Sequence, residues 1–497
     1  MKTYRALLNI SLFVFSPFIA LCGAQNEFLD FLKSTTQTEL PRHQEHHLKL
    51  LTTIHPTLQN LPYAIYPNNI NYNTVRFNYN QRFNVFPKAI IYPRTVEEAQ
   101  FVLKTLKENN LDFSIRSGGH CFEPGSLSSE YIFDLRNFNS IIPNVETGEV
   151  YIGAGCLLNQ VIATLGSLNY AIPTGTCPTV CVTGLTLGGG IGLLTRQYGL
   201  TCDSVTNITL LNANAEVIEA NEHSNPDLFW ALKGGGNGSY GIVLGFVFKM
   251  HYIPAATFYE LSWPWKPKHA AKIIDTWQQW VKNLPSNISS SIRLEYREGV
   301  IRIRIIGIKV GVTPFTEWQK AFQQFDPTIT TNQQGTYLDT VKYWSSEPSL
   351  PFNKSKSKIL LEPISKKVIR KIVKYLDFLN ETQPNLRIFL NFDGFGGKVP
   401  NFDNSFPFKD AFGWWYQAVY WPYQTQDVEA QRLINLIYQA TSKDISPYSY
   451  ANATDYELGK RYLKAYYANY VDRLIRIKNQ YDPENLFHWK QSIPLQR

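Results

Sequence analysis

Hydrophobic positions in this chain switch repeatedly between a period of two and a period near 3.6, and the switches mark its elements. "VFPKAIIYP" reads as a strand, and Thr95 then caps a helix, with Glu98 completing a capping box. Val96, Ala99, Leu103 and Leu106 fall on one face of that helix. "LDFSIRS" alternates Leu111, Phe113 and Ile115, the pattern of a half-buried strand, and runs into Gly118-Gly119-His120. Short strands are expected at "YIFDLR", "EVYIGAG", "SVTNITLLN" and "EVIEA". A helix at "PDLFWALK" leads into a glycine loop and a strand, "GGGNGSYGIVLGFVFKM".

From about His251 to Tyr448 the texture changes. Strands such as "IRIRIIGIKV" and "WWYQAVYW" mix with amphipathic helices. Alternation in the second puts Trp415, Gln417 and Val419 on one face and Trp414, Tyr416 and Ala418 on the other. The last segment, from about Asp455, reads as mostly one charged helix followed by "DPENLFHWKQSIP". Residues 25 to about 80 read as helical first and loop-rich afterwards. The sum is two α+β domains, with the C-terminus returning to the first.

Composition adds limits. With 497 residues the chain can bury two or three domain cores. Aromatic residues are 14%, which suits either a large core or a surface that stacks on carbohydrate. The formal charge is +8, but the densest basic run, "SKKVIRKIVK", has Val368, Ile369, Ile372 and Val373 at helical spacing, so its cations form a wet face. Nothing here speaks for nucleic acid. Lys2 and Arg5 precede an apolar run from Ala6 to Leu21, and "CGAQ" follows. This predicts a signal peptide cut after Ala24, an exported protein, and no membrane span once the signal is gone. Asn207-Ile208-Thr209 and Asn287-Ile288-Ser289 are then glycosylation sequons for a eukaryotic secretory route. Five cysteines remain beyond Cys22: Cys121, Cys156, Cys177, Cys181 and Cys202. An odd number in an exported chain points to one thiol with another use, and Cys177 is the candidate. The cysteines lack zinc spacing, and His43 and His47 in "HQEHH" read as a solvated helix face, so no metal is expected.

Gly236-Asn237-Gly238-Ser239-Tyr240-Gly241 matches G-x-G-x-x-G literally. A dinucleotide fingerprint needs a strand before it and a helix after it. Here the order is inverted, which excludes a Rossmann site. What survives is close backbone approach and exposed N–H groups, in this loop and in "GGGIG" from Gly188, both suited to cradling a pyrophosphate.

Five stretches together resemble the berberine-bridge-enzyme-like flavoprotein oxidases of the vanillyl-alcohol-oxidase superfamily, whose FAD-binding domain is of the PCMH type. They are "RSGGH", "GTCPTV", "GGGIGLLTRQYGLTCDSV", "DLFWALKGGGNGSYGIV" and "YYANYVDRLIRIKNQYDPENLFHWKQSIP". The resemblance runs from about Phe83 to Pro494, and "GGHCFE" is similar to the branch of aclacinomycin-type and sugar-oxidising members. It implies an α+β fold with a signal peptide (1–24), a PCMH-type FAD-binding domain of two α/β subdomains (25–255), and a substrate domain with an antiparallel sheet (256–450). A C-terminal segment (451–497) would complete the FAD domain.

The resemblance further implies FAD tied to protein twice, through an 8α bond from His120 and a 6-S bond from Cys177. A neutral imidazole and a thiolate are both nucleophiles, and the edge of oxidised flavin is electron-poor. Arg116, Ser117, Gly118, Gly119, Gly184, Gly188, Gly189, Gly190, Gly241, Ile242, Val243 and Asn485 would line the cofactor. The chain departs from the family where Cys181 and Thr183 replace glycines and Leu185 replaces a histidine. Thr186 occupies the position associated with oxygen access.

Alcohol oxidation by a flavin removes a hydride from carbon and a proton from the hydroxyl, and the second loss needs a base. Relatives use tyrosine in Y-x-N-Y; "YSYANATDYELG" supplies Tyr450 and Asn452 but has Ala453 in place of the second tyrosine. Asp393 in "NFDGFGG" could orient a tyrosine or take a proton. Gln417 is the favoured site-facing residue of the aromatic strand, with Tyr416 the off-register alternative. The expectation is an exported oxidase acting on an alcohol carbon, of a saccharide first, with oxygen as acceptor and hydrogen peroxide as product. An amine, alkaloid or polycyclic-alcohol oxidase, a dehydrogenase with another acceptor, and a catalytically weak flavin- or sugar-binding protein stand as alternatives.

Overall fold

The computed structural model describes residues 53–311, 317–345, 350–382 and 384–496. The expected signal peptide, Cys22, His43, His47 and the helical stretch expected from residue 25 lie outside them. His55 to the C-terminus forms one compact unit.

Three larger sheets carry this unit, beside a small two-stranded one that pairs His251–Tyr252 with Tyr170–Ala171. The first orders its strands Ala64–Ile65, Ala89–Ile91, Tyr131–Asp134 and Phe113–Arg116, and the last three run parallel. Parallel neighbours need a crossover, and the helix Val96–Glu108 supplies it. Thr95 Oγ1 accepts from the Glu98 N–H at 3.2 Å as expected. The Glu98 carboxylate, however, takes the Arg94 N–H at 2.8 Å, one residue outside the usual box. The strand Phe113–Arg116 is covered on both faces rather than half-buried. Its polar side survives burial because Arg116 Nε meets Asp134 of the neighbouring strand at 2.5 Å, in register.

The second sheet is antiparallel: Ile141–Asn144, Glu149–Gly153, Ile242–Lys249, Val205–Leu211 and Val217–Ala220 in spatial order. Its core includes Ile152, Ile208 and Phe246 and extends to Leu474 and Ile477 of the C-terminal helix. That segment is pinned to the glycine loop: Trp489 Nε1 donates to the Asn237 carbonyl at 2.8 Å and Lys478 Nζ to that of Ser239 at 2.7 Å. The C-terminus thus returns to the first half. It is not mostly one helix, as the pattern suggested. Tyr456–Arg461, Tyr462–Tyr467 and Val471–Tyr481 are separate pieces, with a reversal at Ala468 (φ 46°). Tyr466, Tyr467 and Leu474 all reach one core cluster across that break.

The third sheet has seven antiparallel strands, ordered Ile329–Gly335, Ala256–Pro264, Val300–Val310, Ile288–Arg297, Arg387–Gly394, Gly413–Trp421 and Phe352–Leu360. One face is apolar, with Ile292, Leu294, Leu390, Phe392, Trp415 and Val419. It packs on helices Pro267–Lys282, Lys366–Thr382 and Asp427–Thr441 through Trp277, Leu376 and Leu433. Helix Lys366–Thr382 buries Val368, Ile369 and Ile372, as its basic run implied. The other face is polar and aromatic and closes over the first half.

Where the halves meet, a buried ion cluster joins three distant segments. Lys354 Nζ lies 2.5 Å from Glu123 and 2.9 Å from Asp455, and Lys356 Nζ lies 2.9 Å from both Asp455 and Glu457. Cys121, Cys156, Cys181 and Cys202 are all thiols. The odd cysteine count therefore carries no weight of its own, since no disulfide leaves Cys177 over.

Candidate functional site

The loops after the first sheet and the polar face of the third enclose a cavity of about 430 Å3. Its first wall is made by Ser117–His120, Cys177, Gly184, Gly238, Gly241 and Val243. Two of these glycines keep space open. A Cβ on Gly184 would meet nothing within 4 Å, so any side chain there would occupy the cavity, and Gly238 (φ 66°) has only Trp489 Nε1 at 4.0 Å. Gly119 (φ 67°) turns the chain so that His120 enters.

His120 and Cys177 converge on one hydroxyl. His120 Nε2 lies 2.8 Å from Thr179 Oγ1 and Cys177 Sγ lies 3.7 Å from the same atom. The imidazole stacks on Tyr79 with ring centroids 4.1 Å apart. Burial lowers the His120 pKa to about 4, so the ring is neutral, with a lone pair to give. Two nucleophiles on one edge of a cavity suit two bonds to one ligand. Thr179 was legible in "GTCPTV" only as a motif letter.

The second wall comes from the third sheet and the segment after it. Arg293, Phe389, Asn391, Asp393, Trp414, Tyr416 and Tyr420 line it, with Tyr450 and Asn452 at its edge. Tyr450 is 4% exposed. Its oxygen accepts from the Gly190 N–H at 3.0 Å and from Asn452 Nδ2 at 2.9 Å. Burial raises its pKa; the two donors work the other way, as they favour a negative oxygen. Asp393 is held by the Ser291 hydroxyl and, at 2.7 Å, by Asn391 Nδ2, not by a tyrosine. Tyr416 faces the cavity and its hydroxyl lies 3.2 Å from that of Tyr420; burial pushes its pKa well up.

Several expected site contacts fall elsewhere. Gln417 is turned into the helix-packed side with Trp415 and Val419, in register with Leu390, and neither amide atom finds a partner. The alternation was right and the choice of face was wrong: Trp414 and Tyr416 face the cavity. Gly188, Gly189 and Gly190 do not line the cavity. They make room for packing: a Cβ on Gly188 would sit 2.1 Å from Asn452 Oδ1, one on Gly190 2.1 Å from Thr201 Oγ1, and one on Gly189 would meet Phe406. The triple glycine therefore positions Tyr450 rather than a phosphate. Arg116 is spent on Asp134. Ile242 is fully buried behind Gly241. Asn485 (φ 56°) forms the turn that presents Leu486 to Trp489, which do line the cavity. The Thr186 hydroxyl donates to the Val182 carbonyl at 2.7 Å inside its own helix.

A glycine-lined wall with paired nucleophiles, facing a wall with a polarised phenol, defines a flavin-dependent redox enzyme. Residues 87–221 match the family described as FAD binding domain, and residues 449–494 that described as berberine and berberine like. The chain is 32% identical to an uncharacterized FAD-linked oxidoreductase, YgaK, of Bacillus subtilis over 85% of its own length and 94% of that protein. Berberine bridge enzyme-like 1 of Physcomitrella patens superposes with a TM-score of 0.78 at 25% identity, over 87% of this chain and 97% of that one. A xylooligosaccharide oxidase from Myceliophthora thermophila, solved with xylobiose, shares the fold at a TM-score of 0.77 and 23% identity, over 91% and 99%. The chain belongs to the berberine-bridge-enzyme-like family of FAD-linked oxidoreductases.

Proposed function

We propose that the protein is an exported oxidase that carries FAD on both His120 and Cys177 and oxidises an alcohol carbon of a saccharide, with oxygen as acceptor. The observation that carries the double attachment is the shared hydroxyl of Thr179, which holds imidazole and sulfur side by side at the cavity edge. His120 and Cys177 would hold the FAD, which when bound would supply the two-electron acceptor for the hydride and the route from there to oxygen and hydrogen peroxide.

The chain's residues do the rest. Tyr450 takes the hydroxyl proton, with the Gly190 and Asn452 donors stabilising the charge on its oxygen. Trp414 and Tyr416 offer ring faces against which the C–H face of a sugar stacks. Cavity-facing Asn391 orders Asp393 at the sheet end. The aromatic wall favours a saccharide over an amine, since Asp393 is already committed to two donors.

Acid precipitation tests the linkage: the pellet stays yellow, and the flavin peptides map to His120 and Cys177. Colour that washes out refutes it. An oxygen electrode with saccharides tests the activity; no oxygen uptake, together with no anaerobic flavin bleaching by any sugar, refutes the substrate class.

A further inference from the structure

One cation on the sheet wall has nothing to hold. Arg293 is paired in register with Asn391, and through it with Tyr416, and all three line the cavity. The charges around it are engaged. Arg304 takes both oxygens of Glu260 at 2.7 and 2.9 Å, and Arg387 takes Glu295 at 2.9 Å. Asp393, on the next row, accepts from Ser291 and Asn391. Among the described residues none forms a hydrogen bond or ion pair with the Arg293 guanidinium. It is half-buried, and desolvation by the walls around it lowers its pKa, with Asp393, the strongest of the nearby carboxylates, working against that. Two more polar atoms on this wall lack partners, Asn391 Oδ1 and Trp414 Nε1.

A half-buried guanidinium that opens on the cavity and has no protein acceptor is free to take one from a ligand. Its planar fork matches a carboxylate through two parallel N–H bonds.

We propose that Arg293 binds a carboxylate of the substrate, so that the alcohol oxidised belongs to an acidic sugar of the uronate class. This rests on the saccharide reading above and narrows it. Arg293 selects the substrate and Tyr450 takes the proton.

The test compares each neutral sugar with its uronate, glucose with glucuronate and cellobiose with a uronate disaccharide, on the holoenzyme and on Arg293→Gln and Arg293→Lys. The wild type prefers the uronate in kcat/KM by roughly 100-fold. Arg293→Gln abolishes the preference, mainly through KM, and Arg293→Lys recovers part of it. Glucuronate also raises the melting temperature of the wild type and not of Arg293→Gln, and glucose raises neither; this reading needs no turnover. Equal use of neutral and acidic sugars by the wild type overturns the proposal, whatever the variants do, and leaves the oxidase reading intact. A preference that survives in Arg293→Gln overturns it too. If neither sugar class bleaches the flavin, the saccharide reading fails, and the melting shift alone decides whether Arg293 holds a carboxylate.

Discussion

In the proposed reaction Tyr450 concentrates the chemistry in one oxygen atom. Tyr450→Phe keeps the ring in its edge contacts with Trp414 and Phe406 but strands the Gly190 N–H. Its kcat is expected to fall by about 10²–10⁴ with the flavin absorbance unchanged, which stopped-flow reduction measures. Gly188→Ala reaches the same oxygen indirectly, because the new methyl collides with Asn452 Oδ1. Slower reduction with the colour retained is the outcome expected of it. At this scale the motifs singled out His120, Cys177 and Tyr450, and the structure brings all three to the cavity. The sequence did not show what the triple glycine is for. Glycine signals close approach without saying by what, and the partner of Gly188 is Asn452, from far along the chain. Arg293 escaped notice for a related reason: Ser291, Arg293 and Glu295 alternate with Ile292, Leu294 and Tyr296, the pattern of an ordinary wet strand face.

At the scale of elements, the edge strand Phe352–Leu360 is stapled to the rest by charge. Lys354→Met leaves Glu123 and Asp455 buried with one partner fewer and is expected to cost about 3–5 kcal/mol, read as a lower melting temperature. Burial works against the charged form of Asp455, but Lys354 and Lys356 outweigh it and hold its pKa below the usual value. The contribution of this carboxylate is therefore full above the unfolded carboxylate pKa and is lost as pH falls through the folded one. In Lys354→Met that loss begins at higher pH. Element existence was legible from periodicity and caps, as for Val96–Glu108. The face each strand presents was not: alternation in "GWWYQAVYW" splits the residues into two sets, and only the helices packed behind Trp415 decide which set is core. The break at Ala468 was hidden because alanine favours helix, and core packing overrides that preference.

For the molecule as a whole, acid sensitivity should carry a histidine component. His251 stacks on Tyr198 and meets Ser204 Oγ at 3.0 Å, and burial, reinforced by Lys249 and Lys398, lowers its pKa to about 4. Its folded pKa lies below the unfolded one, so its contribution is complete above about pH 6.5 and drains away as pH falls toward 4. At pH 5 the deficit is about 2 kcal/mol, and His251→Gln should flatten that part of a stability–pH curve measured by denaturant unfolding.

The cofactor wall and the sheet wall come from stretches of chain far apart in sequence, and they touch where Tyr416 packs on Phe122 and where Lys354 meets Glu123. Mutation can therefore redraw Arg293 and Asn391 while His120, Thr179 and Cys177 stay as they are, whereas Tyr416, packed on Phe122, is tied to both walls. A lineage built this way can change its diet while keeping its engine, because the chemistry and the choice of what to burn are inherited on different pages of the gene.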